Sequence, residues 1–130
     1  MKILAGYDHS EASKAALRVA AEHAEAFKAE VHIVTSLTQN RELGIEDIQR
    51  VENRLQKLER SLKAEKIPCE VHAKVSAHSP GESLLEYAEE NGIDEIFVGV
   101  RRRSRVGKLL LGSNSQYIIL QASCPVVAVK

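Results

Sequence analysis

Five short apolar runs rich in β-branched residues alternate with four stretches of helical period along this chain, and that alternation leaves few folds open. The runs are Lys2–Tyr7, Glu30–Ser36, Cys69–Val75, Asp94–Val98 and Cys124–Val129. Nearly continuous apolar runs of this length suit strands covered on both faces. The order β-α-β-α-β-α-β-α-β implies a parallel sheet, because parallel neighbours need a crossover long enough to hold a helix. Crossovers of this kind are right-handed. The simplest winding sends the first three strands one way and the last two the other. The expectation is a single α/β domain over residues 1–130, with a doubly wound five-stranded parallel sheet of order 3-2-1-4-5 and helices on both faces. Its topological switch falls between the first and fourth strands, and ligands of such sheets bind beyond the carboxyl ends flanking the switch. Here those ends are Gly6-Tyr7-Asp8 and Gly99-Val100-Arg101.

The helical stretches carry their own punctuation. Ser10 reads as an N-cap with Glu11 in the first turn of an alanine-rich helix that lasts to about Lys28. Leu17, Ala20, Ala24 and Phe27 share its apolar face. Leu37 to Gly44 is polar and turn-like. In the second helix Ile48, Val51, Leu55, Leu58 and Leu62 step by three and four opposite a charged, solvated face, and Pro68 is expected to break it. Ser79-Pro80-Gly81-Glu82 has the form of a capping box with proline at the first helical position, and Gly92 suits the C′ end. The last helix, Ser113 to Ala122, opens on a capping pattern of Ser113 and Gln116.

Between the fourth strand and that helix lies IFVGVRRRSRVGKLLLGSNS, residues 96–115. A strand ends at Gly99, a cationic loop follows, and Gly112-Ser113 starts a helix. Glycine allows close backbone approach, and the first N–H groups of a helix have no partner within it, so the stretch suggests an anion site. Arginine adds a planar fork of donors matched to phosphate. The loop resembles a P-loop without being one. G-x-x-x-x-G-K-[ST] would need glycine at Arg102 and a hydroxyl at Leu109, so the usual magnesium ligand of that motif is missing. Asp8, at the end of the first strand, can accept from an amine or a hydroxyl, and Gly6 would let a flat base lie against the strand end.

Composition narrows the function classes. Eighteen basic and eighteen acidic residues give zero net charge, and aromatic residues make up only 4% of the chain, a poor match to a nucleic-acid binder. No apolar run approaches the length of a membrane span, and no signal peptide is expected, which points to the cytoplasm. Cys69 and Cys124 lack metal-ligand spacing and read as free buried thiols. His9, His23, His32, His72 and His78 show no grouping of the zinc type along the chain, so no metal is expected. No nucleophile elbow or converging carboxylate pair is present, and no catalytic residue is assigned.

Gly99 with Gly112-Ser113 resembles the nucleotide signature G-x2-G-x9-G-[ST] of the universal stress protein family, and the likeness spans the whole chain, including Asp8, the Ser79-Pro80-Gly81 turn and the closing CPVVAVK strand. The resemblance implies an adenine-nucleotide-binding α/β fold, ATP or another adenine nucleotide as ligand (with or without Mg2+), a stress-response sensor or adaptor role, and a homodimer. Asp8 and the backbone near Ser36 would face the adenine. Gly99, Val100, Arg101, Arg102 and Arg103, with Gly112, Ser113, Asn114 and Ser115, would hold ribose and phosphates. The second motif glycine is replaced by Arg102, a change that accompanies family members that do not bind ATP. A nucleotide-free interaction protein and a slow ATPase therefore stand as alternatives. The strand Val126–Val129, an apolar edge in the expected order, is the expected dimer contact.

Overall fold

A computed structural model describes residues 1–100 and 112–130; Arg101, Arg102 and Arg103, with the rest of the loop through Leu111, lie outside the described residues. The elements are β1 (Lys2–Gly6), α1 (Glu11–Phe27), β2 (Glu30–Thr38), α2 (Ile45–Ala64), β3 (Cys69–Ser76), α3 (Pro80–Glu90), β4 (Glu95–Gly99), α4 (Ser113–Gln121) and β5 (Val126–Val129). All strand pairs are parallel and the order is β3-β2-β1-β4-β5, as the alternation predicts.

Two apolar layers sandwich the sheet because side chains alternate along each strand. Ile3, Ala5, Val31, Ile33 and Phe97 meet Leu17 and Ala20 of α1 and Leu55 and Leu62 of α2. Leu4, Val34, Ile96 and Val98 meet Leu84 of α3 and Ile118 of α4. The small residues Ala16, Ala20 and Ala24 are buried and bring α1 close to the sheet. Phe27 follows the last of these alanines at the end of α1, where Lys28 turns the chain left-handed at φ 54°. Phe27, expected on the core face, is 64% exposed and meets His23 edge-on instead.

Several boundaries differ from the sequence reading for local reasons. β2 runs through Leu37 and Thr38 because they pair with Val75 and Ser76 of β3. α2 ends at Ala64, before Pro68, where Lys66 takes a left-handed φ of 64° and the Ile67 N–H closes onto the Leu62 carbonyl. α3 keeps its expected ends. Ser79 Oγ accepts from the Glu82 N–H, and Gly92 at φ 61° lets the Ile93 N–H reach the Ala88 carbonyl, a Schellman closure. α4 departs from expectation: Gly112 is its N-cap and Ser113 its first helical residue, so no side chain among the described residues caps this helix.

Candidate functional site

At the switch point the chain leaves β1 through Tyr7, whose N–H and carbonyl are bonded to the Val34 carbonyl and the Thr35 hydroxyl. It turns at His9, which has a φ of 66°, and enters α1. That turn is tied by short-range bonds: Ser10 N–H donates to Asp8 Oδ1 at 3.0 Å, Asp8 N–H to Ser13 Oγ at 3.3 Å, and Ser13 N–H to Ser10 Oγ at 3.1 Å. The Asp8 carboxylate is thereby fixed at the mouth of the crevice. Burial pushes the Tyr7 phenol above its usual pKa, so it stays a neutral donor through the physiological range.

Gly99 ends β4 beside the first turn of α1. A Cβ there would lie 2.4 Å from the Ala12 carbonyl carbon and 2.7 Å from the Ser13 nitrogen. The missing side chain is thus accounted for by helix packing, a different use from the close approach to an anion read in the sequence. Gly6 is tighter than open space but softer, since a Cβ would meet the flexible tip of Leu84 at 3.0 Å. Across the crevice, Asn114 Oδ1 accepts from the Gly81 N–H at 3.0 Å and Ser115 Oγ donates to the Gly99 carbonyl at 3.4 Å. These bonds hold the start of α4 against both α3 and β4.

The enclosed space measures about 380 Å³, within the range of small-molecule sites. Its floor is apolar, formed by Gly6, Val34, Leu84, Val98 and Ile118, and its rim is polar, formed by Asp8, Ser10, Ser36, Ser113 and Ser115. The start of α4, unsupplied with a capping side chain, opens onto it, so backbone N–H groups and the positive end of the helix dipole face the cavity. Ser36 Oγ is buried and has no hydrogen-bond partner among the described residues. A buried hydroxyl in that state is one that a ligand can satisfy. Apolar slot, unpaired hydroxyl and open helix start together suit a flat heterocycle carrying an anionic tail.

Of the residues expected at the site, the structure brings Gly6, Asp8, Ser36, Gly99, Gly112, Ser113, Asn114 and Ser115 around this one cavity. Val100 is buried beside it, its N–H bonded to the Val129 carbonyl at 2.7 Å, and does not line it. Arg101, Arg102 and Arg103 lie outside the described residues. Ser10 and Ser13 also line the cavity, as does Pro80. Their capping roles hid them, for a Ser-x-x-Ser helix start and a Ser-Pro turn look the same in sequence whether or not they border a ligand. The floor residues were visible only as core.

Fold and crevice together define a doubly wound α/β protein with a cavity at the switch point. The profile of the universal stress protein family matches residues 1–130, and the chain belongs to that family. It is 33% identical to the "Universal stress protein in QAH/OAS sulfhydrylase 3'region" of Thermus aquaticus over 98% of this chain and 97% of that one. Two other curated relatives, from Mycolicibacterium smegmatis and Methanocaldococcus jannaschii, match over only 48% and 39% of their own lengths. Among solved structures, a universal stress protein from Archaeoglobus fulgidus superimposes with a TM-score of 0.87 at 31% identity, covering 100% of this chain and 98% of that one. A second structure, of the universal stress protein from Archaeoglobus fulgidus in complex with dAMP, gives a TM-score of 0.83 at 27% identity, with 100% and 98% covered.

Proposed function

We propose that this protein binds an adenine nucleotide in the switch-point crevice and acts as a stress-responsive sensor or adaptor, with no fast catalysis. The observation that carries the reading is the meeting, in one cavity of about 380 Å³, of an apolar slot and the uncapped start of α4. The base would lie over Val34, Leu84 and Val98, with Ser36 and Asp8 at its edge. The phosphate would meet the N–H groups of Ser113 to Ser115. The dAMP complex of the related Archaeoglobus fulgidus protein supports the ligand class. ATP is the nucleotide proposed, with or without Mg2+, because Arg101, Arg102 and Arg103 follow Val100 directly and guanidinium groups suit a polyphosphate.

Calorimetry with AMP, ADP and ATP tests this. Heat of binding with one site per chain is expected; no heat and no thermal shift at millimolar nucleotide would overturn it. Arg102→Gly sorts the role of the replaced motif glycine: tighter ATP binding means the arginine crowds the phosphates, weaker binding means it contacts them.

The same proposal includes a cytoplasmic homodimer. No helix among the described residues is long and apolar enough to cross a membrane. β5 ends the sheet, with Val126, Val127 and Val129 only half-buried and Leu120 of the preceding helix 68% exposed. Pro125 and Val129 give their carbonyls to β4, so the intervening Val126 and Ala128 turn their backbone groups to the open edge. Sedimentation should show a dimer that Ala128→Pro converts to monomer; a monomeric wild type would contradict the arrangement.

A further inference from the structure

We propose that the outer edge of the sheet carries a binding site for a divalent transition metal of the zinc type, held by His32, Glu70 and His72, with Glu30 as the fourth donor. β2 and β3 each contain the tripeptide Glu-Val-His, residues 30–32 and 70–72. The ladder pairs His32 with Glu70 and Val34 with His72, so the two tripeptides are staggered by two residues. A stagger of two keeps all four polar side chains on one face. The His32 and His72 imidazoles and the Glu70 carboxylate therefore come together at the margin of α3, with the Glu30 carboxylate against His32.

The distances suit coordination. His32 Nε2 lies 2.6 Å from Glu30 Oε1 and 3.3 Å from Glu70 Oε2, and His72 Nε2 lies 3.9 Å from Glu70 Oε1. One ligand atom from each of His32, Glu70 and His72 falls within 4.8 Å of the others. Donors about 2.0–2.2 Å from a tetrahedral zinc stand about 3.3–3.6 Å apart; the two Glu70 contacts lie near that spacing, and the ion would take the place of the proton in the shorter His32–Glu30 bond. Two neutral imidazoles with two carboxylates would cancel the charge of a divalent ion, and imidazole with carboxylate favours zinc over magnesium or calcium.

A second observation points the same way. The His32 side chain is 2% exposed, and its other nitrogen, Nδ1, is 2.6 Å from the Tyr87 hydroxyl of α3. An outer hydrogen bond of this kind fixes the ring and points Nε2, bonded to Glu30 in the metal-free chain, into the cluster, as in protein metal sites generally. The Tyr87 ring also packs against the His72 ring, with centroids 5.4 Å apart. On the opposite side the cluster is open, since the side chains of His72 and Glu70 are 44% and 54% exposed, giving an ion a path from solvent.

Titration of the metal-free full chain with ZnCl2 tests the site, with Co2+ as a spectroscopic stand-in. The expected result is one ion per chain at micromolar affinity, a visible Co2+ band of four-coordinate intensity, and a rise in thermal midpoint. His72→Ala, at an exposed position that the fold does not need, should abolish or strongly weaken binding. Tyr87→Phe should weaken it about tenfold through loss of the outer bond. His78→Ala, whose imidazole pairs with Glu82 and Glu86 and not with the cluster among the described residues, should bind as the parent does. No zinc uptake, uptake unaffected by His72→Ala, or an equal loss in His78→Ala would each overturn the proposal and leave the cluster an ion pair across two strands.

Discussion

At the carboxyl ends of β1 and β4 the molecule offers what side chains leave behind: glycine gaps, hydroxyls and the N–H groups of an uncapped helix. Along β2 and β3 it offers the side chains themselves, two imidazoles and the Glu70 carboxylate brought together by register, with Glu30 beside His32. The first region is backbone chemistry and depends on how closely helices approach the sheet. The second depends on the ladder and is nearly independent of the helices, Tyr87 excepted. Substitution of the backbone-packing residues should therefore act on stability at the crevice, and substitution of the side chains at the edge on ligation.

The largest expected effect is at Gly99. Gly99→Ala would place a methyl carbon 2.4 Å from the backbone of α1, and its stability in urea should fall by about 3 kcal/mol or more. A loss below about 1 kcal/mol would show that α1 shifts freely and that the crevice is not fixed by that contact. Ser36→Ala separates binding from folding. Removing a buried hydroxyl that has no partner among the described residues should leave stability level or slightly higher while weakening AMP roughly tenfold, the worth of one hydrogen bond. Equal affinity for the two proteins would place the base elsewhere.

Asn114→Ala removes the acceptor for the Gly81 N–H between α4 and α3 and should cost about 1 kcal/mol by chemical denaturation. At the other region, Glu70→Gln should change stability by less than about 0.5 kcal/mol, because Glu70 is half-exposed and its contact with His32 is screened by solvent. If Glu70→Gln proved as damaging as Gly99→Ala, the contrast between the two regions would fail.

The same contrast explains what could be read from the sequence. Strand order followed from the alternation of elements, since right-handed crossovers leave little choice, and Gly6, Asp8 and Gly112-Ser113 were visible because each sits at the end of a strand or the start of a helix. Chain-local signals suffice there. The use of Gly99 was not visible, because glycine before a loop looks alike whether a ligand or a helix backbone fills the space. Phe27 was misplaced for a related reason: helical period gives its face but not that α1 ends there, at the left-handed turn of Lys28. The histidines of the edge were dismissed on spacing along the chain, while His32 and His72 meet across a ladder. Repetition of Glu-Val-His in two neighbouring strands was the available signal, and it becomes informative only once parallel pairing and its register are known.

The most direct test of the crevice is to follow backbone amide resonances during titration with AMP. The account predicts that the N–H signals of Ser113, Asn114 and Ser115 move in a saturable way together with that of Ser36, while those of Glu70 and His72 stay in place. Unmoved Ser113–Ser115 signals at millimolar AMP would contradict it.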